Sequence, residues 1–119
     1  MKKIFTILGF LFAVSSFAQN NDIVNALKEA DASKFSSYFS NTLDVKLPKK
    51  NEMKSISKSD AAEAVSDFFS GNHITGFELI SQREMSGTMY IAGKLSAGQQ
   101  SYNITVMLKN NSIITVRIS

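Results

Sequence analysis

Residues 57–80 read SKSDAAEAVSDFFSGNHITGFELI, and the hydrophobic period changes inside them. Up to Gly71, the apolar residues Ala61, Val65, Phe68 and Phe69 recur at the spacing of one helical stripe. Ser57 is a side-chain N-cap with Asp60 three residues on, a variant of the capping box, and Gly71 is placed to end the helix. Beyond Gly71 the period becomes two and stays two to the end of the chain. The segment from Ile74 to Arg83 carries Phe77 and Leu79. Met89, Ile91, Gly93 and Leu95 then alternate with Tyr90, Ala92 and Lys94; Tyr102, Ile104, Val106 and Leu108 alternate with Asn103, Thr105 and Met107; and Ile114, Val116 and Ile118 close the series. Ser86-Gly87, Ala97-Gly98 and Asn110-Asn111 supply the turns, the last because Asn tolerates positive φ. A helix followed by a four-strand meander predicts an α+β domain with segregated elements.

The upstream half fits the same plan. Ile23, Ala26, Leu27 and Ala30 share one helical face behind the capping residues Asn20-Asn21-Asp22. Asp31 breaks that helix and caps a second, expected over Ala32 to Phe39, where Phe35, Tyr38 and Phe39 recur at i, i+3 and i+4. Thr42 to Leu47 alternates strictly and predicts a half-buried strand; Pro48 to Glu52 is turn chemistry; Met53 to Ile56 is a weaker returning strand. The expected fold is a cone-shaped, curved antiparallel sheet, a C-terminal meander plus a small hairpin. It packs on one longer helix, Ser57–Ser70, with two short N-terminal helices at its end and a pocket at its mouth.

This order of elements resembles the nuclear-transport-factor-two-like (cystatin-like cone) superfamily. More narrowly, the chain is similar to small secreted proteins of the Bacteroidota that share one uncharacterised domain. The residues that carry the likeness are Phe17-Ala18-Gln19, Ile23-Val24-Asn25-Ala26-Leu27-Lys28, Leu43-Asp44-Val45-Lys46-Leu47, and above all Ser57-Lys58-Ser59-Asp60-Ala61-Ala62 running to Asp67-Phe68-Phe69. The resemblance implies a fold and an envelope location. It implies no activity, since the superfamily holds isomerases, dehydratases, transport factors and association domains.

The N-terminus reads as an address. Met1-Lys2-Lys3 is basic, Ile4 to Val14 is apolar, and Ser16 and Ala18 are small residues two apart. That pattern predicts a signal peptide over residues 1–18, cut between Ala18 and Gln19, and a single domain over 19–119. The apolar run is shorter than the roughly 20 residues of a spanning helix, so no membrane span is expected after processing. The expected location is periplasmic or extracellular. The chain has 119 residues and no cysteine, which excludes disulfides, thiolate zinc sites, thiol nucleophiles and a Cys-linked lipid anchor. Hydrophobic residues at 44% and a single proline exclude a disordered or collagen-like chain. Loss of Lys2 and Lys3 leaves 11 basic against 10 acidic residues, so the formal charge of +3 falls to +1 and no nucleic-acid partner is expected.

Chemistry-bearing residues are few. His73, the one histidine, lies just after the helix and reads as an exposed loop residue; with no cysteine beside it, no metal site or cofactor is expected. Acid–base catalysis in a cone needs a desolvated carboxylate beside a donor. The candidates are Asp44, Asp67 and Glu78, with Tyr38, Tyr90 and Tyr102 as donors, but the alternation and helical phase turn all three acids outward. Phe35, Tyr38, Phe39, Phe69 and Tyr102 are the candidate pocket lining, with core or interface as the competing role. Lys46, Lys49, Lys50 and Lys54 crowd the hairpin and read as a solvated edge. Asn103-Ile104-Thr105 and Asn110-Asn111-Ser112 match a glycosylation sequon without meaning in this context. The expected role is a non-catalytic module of the cell envelope that binds a small apolar ligand or an envelope protein. A homodimer through the outer sheet face is a further candidate, motivated by Met107 and Ile113 at positions read as exposed. The alternative is an isomerase-, dehydratase- or hydrolase-like enzyme using the pocket.

Overall fold

A computed structural model describes residues 20–119. The expected signal peptide and its cut lie outside the described residues. Residues 20–28 form α1, and α2 spans Ala32–Ser36. The hairpin strands are β1 (Phe39–Lys46) and β2 (Met53–Ser57), followed by α3 (Lys58–Gly71). The meander is β3 (Gly76–Met85), β4 (Thr88–Ala97), β5 (Gln100–Lys109) and β6 (Ser112–Ile118). All six strands make one sheet in the order β2-β1-β6-β5-β4-β3.

Each element follows from its local chemistry. The Ser57 hydroxyl accepts from the Asp60 N–H at 3.1 Å and starts α3. Ala61, Val65, Phe68 and Phe69 are its buried stripe. Burial of Val65 or either Phe contributes roughly 1.5–3 kcal/mol. The helix runs through Gly71, and the cap is Asn72, whose N–H and side-chain amide both donate to the Phe68 carbonyl, at 3.1 and 2.9 Å. Ser86 and Gly87 both take positive φ, as do Asn110 and Asn111, the conformation that two-residue hairpin turns require. The concave face carries Ile91, Leu95, Ile104, Val106, Val116 and Ile118, all at most 1% exposed.

The structure corrects four readings. The second helix stops at Ser36 rather than reaching Phe39. The hydroxyls of Ser36 and Ser37 bond back to the Ser33 and Lys34 carbonyls at 3.0 and 2.6 Å, closing the helical turn. Phe39 then begins β1, three residues before the alternation becomes visible, because it pairs with Ile113. The sheet is mixed rather than antiparallel throughout: β1 and β6 run parallel and join the hairpin to the meander. Finally, Ile113 is fully buried rather than exposed. The β5–β6 register passes from Met107↔Thr115 to Leu108↔Ile113, so Ile114 is a bulge and the inward face shifts by one residue.

Asp44 explains another irregularity. The β1–β2 register slips between Leu43 and Val45, and Ser55 takes φ +51°. The Asp44 carboxylate accepts from the Ser55 N–H at 2.8 Å and satisfies the amide that the slip leaves without a ladder partner.

Candidate functional site

A concavity lies between α3, the β1–β2 hairpin and the start of β5. It has a volume of about 640 Å³. That is within the roughly 300–1,000 Å³ range of small-molecule sites. Three elements build it. Helix α3 contributes Asp60, Glu63, Ala64, Asp67 and Phe68; the hairpin contributes Leu47 to Lys50 and Met53; β5 contributes Gln100 and Tyr102. Positions 60, 63, 64, 67 and 68 recur at i, i+3 and i+4, so they occupy one side of α3, flanking the core stripe.

The wall is apolar and the rim is charged. Leu47, Met53, Ala64, Phe68 and the Tyr102 ring supply the apolar lining. The Phe68 and Tyr102 rings meet edge to face with centroids 5.2 Å apart. Beside this contact the Tyr102 hydroxyl lies 3.1 Å from both Asn72 Oδ1 and Gln100 Oε1. The Asn72 amide nitrogen is committed to the Phe68 carbonyl, which leaves its oxygen facing Tyr102. One hydroxyl carries one proton, so it serves one of these acceptors at a time. The other is open to a donor from outside.

On the rim, Asp60, Glu63 and Asp67 are exposed and make no ion pair among the described residues. Lys49 and Lys50 stand on the opposite, hairpin side and are likewise unpaired. The one ion pair among the described residues is Arg117 to Glu52 at 3.3 Å, between residues that do not line the cavity and half in solvent, where such a contact contributes at most about 1 kcal/mol. Among the described residues, no group of three or more His, Asp or Glu could hold a metal ion, and no helix is long and apolar enough to cross a membrane.

Of the five aromatic residues put forward as pocket lining, Tyr102 lines this cavity. Phe35, Phe39 and Phe69 are buried in the core. Their rings touch in a chain, Phe39 edge-on to Phe35 (5.4 Å), Phe35 stacked on Phe69 (6.4 Å) and Phe69 edge-on to Phe68 (6.3 Å), which ends at the cavity wall. Tyr38 is half-buried beside β6, its carbonyl accepting from the Ile113 N–H at 2.8 Å. Among the candidate acids, Asp67 reaches the rim, Asp44 caps the hairpin slip, and Glu78 stands on β3 opposite Lys94. Tyr90 is on the outer face of β4, opposite Arg83. His73 is exposed at φ +53° in the turn after α3. Sequence reasoning missed Ala64, Asn72 and Gln100, and that Asp60 and Glu63 line one cavity with the hairpin. The helical phase of 60, 63, 64, 67 and 68 was the available signal.

Comparison with known proteins places this architecture. A family model described as "Domain of unknown function (DUF4783)" matches residues 20–119. No curated protein matches the chain. Among solved structures, a DUF4783 family protein from Bacteroides ovatus is 20% identical, with a TM-score of 0.72, covering 82% of this chain and 90% of that one. An uncharacterised cystatin-fold protein from Novosphingobium aromaticivorans is 8% identical, with a TM-score of 0.65, covering 86% and 95%. An NTF2-like protein of unknown function from Cytophaga hutchinsonii is 6% identical, with a TM-score of 0.59, covering 85% of each. At these identities the structures establish the fold alone. The match over residues 20–119 establishes the family: the chain belongs to the DUF4783 family, an uncharacterised domain on a cystatin-like, NTF2-like α+β scaffold.

Proposed function

We propose that the protein is an exported, non-catalytic domain of the cell envelope that binds a small amphipathic molecule in the cavity between α3 and the β1–β2 hairpin. The observation that carries the reading is the cavity itself, about 640 Å³ with one apolar wall and an acceptor-rich end and rim. The matching ligand has an apolar body to lie on Met53, Ala64, Phe68 and Tyr102. Its hydroxyl or amine donors face Asn72, Gln100 and the α3 carboxylates. Location outside the cytoplasm rests on the signal-like Met1–Ala18 segment.

The enzyme reading has the Tyr102 hydroxyl in its favour and lacks a base. A proton-abstracting carboxylate must be withdrawn from water to work near neutral pH. Asp60, Glu63 and Asp67 are all exposed.

The test is binding of the neutral solvatochromic dye Nile red. The wild type should hold one dye per chain with blue-shifted emission. Ala64→Arg, which sends a long cationic side chain into the cavity from a half-buried position, should abolish that signal while the melting temperature stays within a few degrees. Undiminished binding by a folded Ala64→Arg variant refutes the site.

A further inference from the structure

The large hydrophobic residues that stand exposed among the described residues are Leu79 (38%), Ile80 (59%) and Met85 (46%), and all three lie on β3. β3 is the last strand of the sheet and ten residues long, with one edge paired to β4 and the other unpaired among the described residues. A long edge carrying apolar side chains is a template for another strand. Its charges are also unspent. Glu78 and Arg83 make no ion pair among the described residues, and the Arg83 guanidinium meets only the Met85 sulfur, at 3.7 Å.

We propose that β3 is a self-association edge: two copies pair antiparallel, β3 to β3, about a two-fold axis between Ile80 and Ser81. Symmetry makes the registers easy to compare, because each pairs residue i with residue j at a constant sum. The register centred between Ile80 and Ser81 sets Glu78 opposite the partner's Arg83 and, by the same two-fold, Arg83 opposite the partner's Glu78. It also sets Leu79 opposite Gln82. Moving the centre onto Ser81 sets Glu78 opposite Glu84, like against like. Moving it onto Ile80 leaves Arg83 opposite Phe77 and both charges unmatched. Directly opposed charges of opposite sign stabilise an antiparallel pair, and like charges destabilise it.

The faces agree. Glu78 pairs with Lys94 and Arg83 with Tyr90, both on the outer face of β4, so the two opposed charges emerge on the same side of the joined sheet. The run Lys94, Glu78, partner's Arg83, partner's Tyr90 would then continue across the junction. The β3–β4 register slips between Leu79 and Ser81, so Ile80 is a bulge. A bulge twists an edge and discourages open-ended stacking. A two-fold axis through two abutting bulges admits one partner and then closes. Such a junction is smaller than the roughly 1,200–2,000 Å² of a standard interface, so a weak, concentration-dependent dimer is expected.

The test is sedimentation equilibrium of the protein expressed from its full-length sequence, from micromolar to millimolar concentration. Wild type should shift from monomer to dimer. Glu78→Arg alone or Arg83→Glu alone should raise the dissociation constant about tenfold or more, since each change breaks two symmetry-related pairs. The double variant E78R/R83E should restore it to near the wild-type value. Ile80→Lys, at a position outside the core, should also leave a folded monomer. A wild type that stays monomeric at millimolar concentration, a dimer indifferent to the single reversals, a double variant as weak as the singles, or growth beyond dimers overturns the proposal. None of these outcomes bears on Nile red in the cavity, so the two readings fail separately.

Discussion

Gly93→Ala is expected to be among the most damaging single-methyl changes in the molecule. Gly93 sits in β4 opposite Leu79, and the Phe77 ring lies over it. A methyl built there overlaps the Glu78 carbonyl oxygen and the Phe77 ring, whose Cζ would be 2.5 Å away. Two relaxations are available. Phe77, now 8% exposed, can swing out and forfeit about 1.5–3 kcal/mol of burial. Alternatively β3 can lift from β4, which breaks ladder hydrogen bonds beside the Ile80 bulge. Overpacking of a close-packed core costs roughly 1–3 kcal/mol, and overlap with backbone rather than with a flexible side-chain tip puts this case near 3. For a domain of this size about 3 kcal/mol lowers the melting temperature by roughly 10–20 °C. The control is Gly71→Ala at the end of α3, where the new methyl meets nothing within 4 Å. It should be neutral or stabilising by up to about 1 kcal/mol. Thermal unfolding by circular dichroism measures both. A Gly93→Ala protein melting within about 3 °C of wild type would refute the packing argument.

Three further outcomes are expected. Ser57→Ala removes the hydroxyl that accepts from the Asp60 N–H and should cost about 1 kcal/mol by urea unfolding, with Ser57→Asp recovering most of it. Tyr102→Phe keeps the ring against Phe68 and loses the hydroxyl shared by Asn72 and Gln100, so Nile red should still bind while donor-bearing amphiphiles lose about tenfold in affinity. N-terminal sequencing of protein recovered from a Bacteroidota envelope fraction should begin at Gln19; an intact Met1 would overturn the export reading.

The half of the chain after Gly71 was legible because period two is a strong signal where one face is buried. The turns at Ser86-Gly87 and Asn110-Asn111 fall where their residue types placed them. What escaped was set by tertiary pairing rather than local pattern. A bulge at Ile114 turns Ile113 inward at the start of β6, and no alternation rule registers one inserted residue. Phe39 reads as the end of an aromatic helical stripe, yet its partner is Ile113, far along the chain. The parallel β1–β6 joint is likewise a long-range choice. At the site, Phe35, Phe39 and Phe69, read as pocket lining with core as the competing role, are buried in the core. The cavity joins Phe68 and Tyr102 to Ala64, Met53 and Leu47, and to Asn72, whose role as helix cap turns its oxygen toward Tyr102.

Native mass spectrometry of the protein purified from its own host's envelope, wild type beside Ala64→Arg, tests the central claim most directly. The account predicts a small additional mass on the wild-type chain, released on collisional activation and absent from the variant. A bare wild-type chain, or an adduct that persists unchanged in Ala64→Arg, would contradict it.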